Sequence, residues 1–365
     1  MAGLEALRDV CERVVVYPKL GTWRALVKFC ITRTTSLRVL RRPAHQAISD
    51  LQSVLGGQAI DILQVESPIT TAPCLRQKGR GACALFYDFI SLAHEEFQRI
   101  AQHLSLASPM KALCQMESKR AKAATFEMLK QDPFDCYLFV SDTERQTIGK
   151  AFPYLEDRLI TVPIGLDIDS FSEAVSSAPV SPGKGCSNRL LFFGTFENPA
   201  NRDGASWFAT SILPLILKEL PEAVFMVVGK KASRYVGHLR SPNVAVYSDV
   251  DDVKPYLAQA AACVLPLRGG GGVRVKLLEA VAARKIVVTT SLGMDGVSFR
   301  PGKHLVVADT AEEFAQRCAQ VLRNPELFRR MTEDAYTLLR DEHSWRALGD
   351  RLEGVYLSAL ERIRS

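Results

Sequence analysis

The residues best suited to chemistry follow a run of four glycines at positions 269–272. Arg274, Lys276 and Glu279 come next, in a segment whose apolar spacing predicts a helix. Glycines let a backbone approach a ligand closely, and the N-terminus of a helix offers N–H groups to an anion. Two cations reinforce such a site, and the carboxylate of Glu279 can accept hydrogen bonds from a diol. The set therefore predicts a site for phosphates beside a ribose.

Each of these side chains also has a purely structural interpretation. Arg274 and Lys276 would suit the solvated face of an amphipathic helix, and Glu279 would suit the positive end of a helix dipole. The glycines before them favour ligand binding for Arg274 and Lys276. The predicted binding segment also includes backbone or side-chain groups of four neighbours, which are Gly271, Gly272, Val273 and Leu277.

Strands and helices alternate along both halves of the chain. Short apolar runs bounded by turn residues predict strands at 13–17, 60–66, 83–88, 136–141, 159–163, 189–193, 224–229, 244–247, 262–267, 286–290 and 305–307. This alternation predicts parallel sheets covered by helices on both faces, with ligands at the carboxyl ends of the strands. Gly194 ends one such strand, where it either keeps the loop open to a ligand or is an ordinary turn glycine.

The length of 365 residues favours two domains, each with its own core. A stretch rich in Ser, Pro and Gly predicts a linker between them. We expect a first domain at 1–168, a linker at 169–188, a second domain at 189–345 and a final helix at 346–365. After the strand at 136–141, Ser141 and Glu144 have the spacing of a capping box, which predicts the start of a helix.

The bulk composition indicates an ordinary globular protein of a reducing compartment. Nine cysteines are scattered without a CxxC pair, which argues against a disulfide framework or a zinc site and favours the cytoplasm. No apolar run approaches the length needed to span a bilayer, and the N-terminus lacks the layout of a signal peptide. A nucleic-acid partner is not expected, because no basic stripe with stacking aromatics is visible.

Positive charge is concentrated at the N-terminus. Residues 1–50 contain nine Lys and Arg against four Asp and Glu, a balance of +5. The segment 23–42 mixes these cations with large apolar residues, so peripheral contact with an anionic membrane is one interpretation. A solvated helix face is the interpretation that we favour.

Several stretches resemble the family-four glycosyltransferases of the GT-B fold, most closely the exopolysaccharide-type sugar transferases. The pattern RLLFFGTFENPANRDGASW at 189–207 resembles the start of their donor domain, and GGGVRVKLLEA at 270–280 resembles their G-x-G-x-R-x-K-x-x-E-A signature. The segments 162–171, 244–267 and 291–309 resemble the adjoining parts of the family. The resemblance covers the C-terminal half almost without gaps.

The resemblance implies an α/β protein with two Rossmann-like domains whose parallel sheets face each other across a cleft. It implies transfer of a sugar from a nucleotide sugar, with retention at the anomeric carbon and without a metal or another cofactor. Glu279 resembles the second glutamate of the family's paired-glutamate motif, which holds the ribose hydroxyls. The acceptor is unidentified; a lipid-linked molecule or a polysaccharide fits the family. The last helix is expected to cross back to the first domain.

The sequence departs from the family at several positions. The loop 194–197 lacks the usual Arg and Lys, so Arg274 and Lys276 are expected to stabilise the leaving phosphates in their place. Gly271 stands at the place of the first glutamate. Residues 87–91, at the end of the strand at 83–88, contain no histidine where many relatives have one. Asp88 is the candidate there for contact with acceptor or sugar, or else a structural carboxylate.

Two further departures concern the fold. Arg284 stands where relatives have a helix-ending glycine, which predicts a left-handed backbone at this residue. The family's usual first strand has no counterpart before residues 13–17, so either the start is truncated or the strand at 13–17 takes its place.

From the resemblance as a whole, we predict a retaining glycosyltransferase of polysaccharide or glycoconjugate biosynthesis. The alternative is a non-catalytic nucleotide-sugar-binding homologue that acts as a partner subunit.

Overall fold

The computed structural model describes residues 60–66, 83–102, 109–177, 188–270 and 272–364, together with residue 11. The predicted strand at 13–17, the basic segment at 23–42 and Gly271 lie outside this part of the chain. None of the described helices combines the length and the hydropathy of a bilayer-spanning segment.

Four parallel strands form the first sheet, in the order β1-β2-β3-β4. They are β1 (Ile62–Glu66), β2 (Ala84–Phe89), β3 (Cys136–Phe139) and β4 (Leu159–Thr161). Between and after them lie α1 (Ala93–Gln102), α2 (Pro109–Gln131) and α3 (Asp142–Ala151). The two-residue period of β2 sends Leu85, Tyr87 and Phe89 to the face that α2 and α3 cover.

The predicted capping box does not form, although α3 begins where it was expected. Ser141 is the residue before the helix, but its side chain makes no capping hydrogen bond. Glu144 is buried, and its Oε1 accepts a hydrogen bond from the backbone N–H of Leu92, at 3.2 Å. The prediction of a capping box was wrong because the carboxylate of Glu144 accepts a hydrogen bond from the loop before α1 and not from the start of its own helix.

The second sheet has six parallel strands in the order β10-β9-β8-β5-β6-β7. They are β5 (Arg189–Phe193), β6 (Val224–Gly229), β7 (Val244–Ser248), β8 (Ala262–Leu265), β9 (Ile286–Thr289) and β10 (Val306–Val307). Strand β5 pairs with both β6 and β8, so the chain reverses its direction of winding at β5. In an open parallel sheet, such a switch point is where ligands bind.

Helices cover both faces of the second sheet. They are α4 (Ile168–Ser177), α5 (Pro199–Trp207), α6 (Leu213–Glu219), α7 (Ala232–Val236), α8 (Lys254–Gln259), α9 (Val275–Ala282), α10 (Ala311–Arg323) and α11 (Arg329–His343). Helix α4 covers the first half of the stretch predicted as a linker, and Ile168 just before that stretch packs into the core of the second domain; the domain boundaries stay a prediction. The remainder of the linker lies outside the described residues.

A π-helical turn separates α5 from α6, where the sequence predicted one helix over 203–220. The turn covers Phe208–Ile212, and the N–H of Leu213 donates to the carbonyl of Phe208, five residues earlier. Pro214 follows directly. A proline ring has no N–H and collides with the carbonyl four residues before it, so the wider turn relieves that conflict.

The chain returns to the first domain through α12 (Trp345–Arg364). Its Ala359 packs against Phe86 and Leu138, on the face of the first sheet that α2 and α3 leave uncovered. The end of the helix is fixed by an ion pair of 2.9 Å between Arg364 and Asp61. The two crossings between the domains lie side by side, because the N–H of Leu166 donates to the carbonyl of His343 at 2.9 Å.

Arg284 ends α9 in a left-handed conformation, with φ of 52°. The N–H of Lys285 donates to the carbonyl of Ala280 and the N–H of Arg284 to that of Val281, which is the Schellman pattern. The guanidinium of Arg284 lies 3.7 Å from the ring centre of Tyr336, so a cation–π contact offsets part of the backbone strain. The left-handed backbone predicted at this residue is therefore present.

We expect Arg284→Gly to be more stable than Arg284→Ala by about 1 kcal/mol. Both variants remove the contact with Tyr336, and only the alanine variant keeps a Cβ at a positive φ. Urea unfolding at equilibrium measures the difference in the free energy of unfolding. Equal stabilities would show that the left-handed backbone costs nothing at this position.

Candidate functional site

The glycine bend, residues 268–274, joins the end of β8 to the start of α9. Gly270 and Gly272 have φ of 95° and 76°, a region in which side chains with a Cβ are strained. A Cβ added to Gly272 would meet nothing within 4 Å, so the bend is open to a ligand there. The hydroxyl of Thr290 donates to the carbonyl of Leu267 and fixes the approach to the bend. Gly271 lies outside the described residues.

Arg274 folds back onto the bend. It precedes α9 and is only 8% exposed. Its Nη2 donates to the carbonyl of Gly269 at 3.4 Å. Its Nη1 packs close to Gly270, because a Cβ added to that glycine would lie 3.1 Å from it. Burial lowers the pKa of Arg274, and the positive charge of Arg99 adds to that effect, whereas Asp295 opposes it. The side chain therefore does not extend into bulk solvent.

Lys276 lies on the first turn of α9, and its ammonium turns toward the end of β5. Its Nζ donates to Oδ1 of Asn201 at 2.6 Å and lies 4.7 Å from the ring centre of Phe192. Burial lowers the pKa of Lys276 to about 7, with a further lowering by Arg274 and an opposing effect of Glu279. The amine is consequently poised between its charged and neutral forms near neutral pH.

Gly194 leaves the space that the ammonium occupies. Its φ is 147°, and a Cβ there would lie 2.9 Å from Lys276 Nζ. The absence of a side chain at Gly194 therefore makes room for a cation of the protein itself, and its predicted role toward a ligand stays a prediction. Gly229 at the end of β6 packs against Gly194, since a Cβ there would lie 2.0 Å from the carbonyl oxygen of Gly194.

Three polar residues, Asn198, Asn201 and Asp203, lie at the start of α5, where helix capping is the default interpretation of such side chains. That interpretation holds for Asn198, whose side chain accepts from the N–H of Ala200 at 2.9 Å. It is wrong for Asn201, which bonds Lys276, and for Asp203, which forms a two-pronged ion pair with Arg268 at 2.7 and 3.1 Å. The local sequence contains no signal for either contact. Lys276 in α9 lies 75 residues after Asn201, and Arg268 in the glycine bend lies 65 residues after Asp203.

Glu279 follows Lys276 by three residues on α9 and is partly buried. Burial raises its pKa, and the charge of Lys276 partly offsets that effect. Val273 is also partly exposed and packs at the edge of the core. Leu277 was predicted to belong to the binding segment. Its side chain is fully buried in the core beneath α9 and so does not reach a ligand in the cleft.

Residues of the first domain face the bend from α1. Arg99 forms an ion pair of 2.7 Å with Glu95 and lies 3.5 Å from Asp295, in the loop after β9. Arg99 is therefore the charged group that links the two domains beside Arg274. The sequence prediction missed it, because nothing distinguishes Arg99 from a cation on a solvated helix face.

Glu144 belongs to the same group of charges. Its side chain is 4% exposed, and Oε2 has no hydrogen-bond partner among the described residues. Burial raises its pKa to about 7, and Glu95 and Asp295 raise it further, whereas the bond from Leu92 and the charge of Arg99 lower it. The first domain thus contributes charged groups to the cleft from α1 and α3.

Asp88 lies at the end of β2, and its side chain contacts the neighbouring strand β1. It accepts a hydrogen bond from Gln64 at 3.1 Å and stands in register with Glu66. Burial raises its pKa to about 6, and Glu66 adds to the effect. These contacts favour the structural role that the sequence left open, and a role in catalysis stays a prediction.

A polar cavity of about 350 Å³ lies between the domains, next to the loop that contains Asp295. Side chains of both domains and of the second crossing line it, among them Thr143, Thr161, Ser298, Glu342, His343 and Arg351. The cleft therefore has room for a hydrophilic ligand beyond the glycine bend.

Taken together, the site concentrates positive charge in a place that is partly removed from water. Arg274 lies against the open glycine bend, Lys276 lies against the end of β5, and the first N–H groups of α9 lie between them in sequence. Ionic hydrogen bonds are stronger in such surroundings than in water. The arrangement is suited to binding an anion with several oxygens and to stabilising negative charge that grows on it.

Residues 187–324 match the family model described as Glycosyl transferases group 1. Among curated proteins, the chain is 23% identical over 164 residues to an uncharacterized 44.6 kDa protein in the cps region of Klebsiella pneumoniae. This similarity covers 42% of each protein, so the chain matches less than half the length of that relative.

Solved structures show the same architecture over most of the chain. Sucrose-phosphate synthase from Thermosynechococcus elongatus superposes with a TM-score of 0.62 and 14% identity, covering 87% of this chain and 78% of the synthase. HepE of Anabaena, solved in complex with UDP and glucose, gives a TM-score of 0.59 and 11% identity, covering 88% and 83%. The predicted fold is confirmed: the chain has the two parallel sheets of the GT-B glycosyltransferases, and its second domain matches the sequence model of the group 1 glycosyl transferases.

Proposed function

We propose that this protein transfers a sugar from a nucleotide sugar to an acceptor hydroxyl, with retention at the anomeric carbon. One observation carries the proposal. Two partly desolvated cations lie at the start of α9, Arg274 against the open glycine bend and Lys276 against the end of β5, and the nitrogen of Lys276 is bonded to an amide and not to a carboxylate. The charge of Lys276 is therefore available to a ligand.

In the proposed reaction, the bond between the anomeric carbon and the diphosphate breaks while a bond from the acceptor oxygen forms on the same face of the sugar, and the proton of the acceptor hydroxyl passes to an oxygen of the departing diphosphate. The electron pair of the broken bond goes to the diphosphate, so negative charge grows there. Arg274 can hold two phosphate oxygens with its planar fork, and Lys276 supplies a compact charge beside them. The N–H groups at the start of α9 add to this stabilisation.

The nature of the donor is supported by the site and by a structural relative. HepE, which shares the fold, is solved with UDP and glucose. Glu279 lies one helical turn after the cations and is proposed to accept hydrogen bonds from the ribose hydroxyls. The two cations supply positive charge at the diphosphate, and on this ground we propose a reaction that requires no bound metal.

The setting of the reaction is proposed from the genomic region of a relative. The relative in a cps region supports polysaccharide or glycoconjugate biosynthesis. We propose a cytoplasmic protein whose acceptor, a lipid-linked molecule or a polysaccharide, enters the cleft between the domains. The alternative function, a partner subunit that binds a nucleotide sugar without turnover, is distinguished by the first experiment.

Lys276→Met is expected to lower kcat/KM by about 100-fold or more, because it removes a charge that stabilises the leaving diphosphate. Release of nucleoside diphosphate from a panel of nucleotide sugars, with and without candidate acceptors, measures the activity. Lys303→Met is the matched control, since Lys303 is exposed and lies on a turn outside the bend. Tight binding of a nucleotide sugar by the wild-type protein, with no turnover of any donor, would favour the partner subunit.

The affinity for a nucleotide sugar is expected to fall as the pH rises above about 7. In the free protein, Lys276 with a pKa of about 7 loses its proton above that pH, whereas a bound diphosphate favours the ammonium form and raises the pKa. Binding near pH 8 is therefore accompanied by proton uptake, by about half a proton or more. UDP-glucose is a suitable probe, because its diphosphate does not titrate in this range.

Calorimetry in buffers with different heats of ionisation measures that proton uptake. Lys276→Arg is the control, because a guanidinium stays protonated over the whole range and should bind without taking up a proton. If wild-type protein and Lys276→Arg showed the same pH dependence, the ammonium of Lys276 would not be the group that meets the diphosphate.

A further inference from the structure

We propose that Asn201 is a positioning residue of this site, which holds the ammonium of Lys276 at the glycine bend without neutralising its charge. The inference rests on the proposed function and adds a residue that the glycine-rich signature does not contain. It depends on three features of the structure: the fixed orientation of the amide, the neutral surroundings of Lys276 and the contrast with Asn198.

The orientation of the Asn201 amide is set by its second partner. Asn201 is 7% exposed, and its Nδ2 donates to the carbonyl of Thr195 at 2.8 Å. A carbonyl only accepts hydrogen bonds, so the NH₂ group must be on that side of the amide. The Oδ1 atom is then directed at Lys276 Nζ, 2.6 Å away. A flipped amide would place two acceptors against each other and two donors against each other.

The other groups around the ammonium are neutral as well. The ring of Phe192 lies on one side of the ammonium, and the backbone of Gly194, which has no side chain, lies on another. Within the described residues, the charges that act on Lys276 are those of Arg274 and Glu279, which lie on or next to the same helix. Strand β5 and helix α5 therefore hold the nitrogen in place and leave its charge to be met by a ligand.

An amide differs from a carboxylate at this position in one decisive respect. Aspartate at 201 would form an ion pair with Lys276 and compete with any bound phosphate. Asparagine accepts the same hydrogen bond and carries no charge. Asn198 lies three residues earlier and is exposed, and its side chain caps α5. Aspartate is an equally good cap, so Asn198→Asp introduces the same charge nearby without touching Lys276.

The experiment compares Asn201→Asp, Asn201→Ala and Asn198→Asp with the wild-type protein. The titration of Lys276 is followed by NMR on protein with labelled lysine side chains, and its signal is assigned with Lys276→Arg. Asn201→Asp should raise the pKa of Lys276 toward its ordinary value, whereas Asn201→Ala should lower it, since the charged form loses an acceptor. Asn198→Asp should leave the titration unchanged.

Binding of UDP-glucose provides the second measurement. We expect Asn201→Asp and Asn201→Ala each to weaken binding at neutral pH by about tenfold, the first by competition and the second by loss of positioning. Asn198→Asp should bind as the wild-type protein does. Thermal unfolding of each variant checks that it is folded, and the alanine variant keeps the test valid if the aspartate variant is not.

Identical titrations of Lys276 in the wild-type protein and in a folded Asn201 variant would overturn the inference. A changed titration with unaltered affinity for UDP-glucose would overturn it too, because Lys276 would then not contact the diphosphate. Neither measurement requires transfer of a sugar. Absence of turnover in the wild-type protein would therefore count against the proposed reaction and leave the role of Asn201 to be decided by these titrations.

Discussion

The site depends on keeping two cations close together where water is partly excluded. Arg274 and Lys276 lie two residues apart at the start of α9, and burial lowers the pKa of both. Placing like charges together in such surroundings is unfavourable unless a ligand of opposite charge completes the site. The protein supports them with neutral groups, namely the carbonyl of Gly269 and the amide of Asn201. The glycine backbone of the bend and of the β5 end gives these side chains the space they need.

The rest of the fold brings this site to the cleft. Strands β5 and β8 are neighbours in the sheet, so the loop after β5 and the glycine bend meet at the same edge. The chain then crosses back through α12, which covers the remaining face of the first sheet. The contact of Arg99 with Asp295 places α1 beside the bend. A ligand held at the bend therefore meets groups of both domains, as a transfer between two substrates requires.

The sequence predicted the elements of the second domain well, because long-range pairing there agrees with local pattern. Strands β5 and β6 begin and end at the predicted residues, and Arg284 takes the left-handed backbone that its position required. Side-chain partners were predicted less well. Asn201 and Glu144 have local patterns typical of helix starts, yet their partners are Lys276 and the N–H of Leu92. Such contacts join residues distant in sequence, and a local pattern contains no information about them.

The most direct test of the account is a crystal structure of the protein with bound UDP-glucose. The account predicts that diphosphate oxygens lie about 3 Å from the guanidinium of Arg274 and from Nζ of Lys276, with the ribose hydroxyls at Glu279. It also predicts that Nζ of Lys276 keeps its contact with Asn201. A diphosphate bound elsewhere in the cleft, with Arg274 and Lys276 in their present contacts and away from it, would contradict the account.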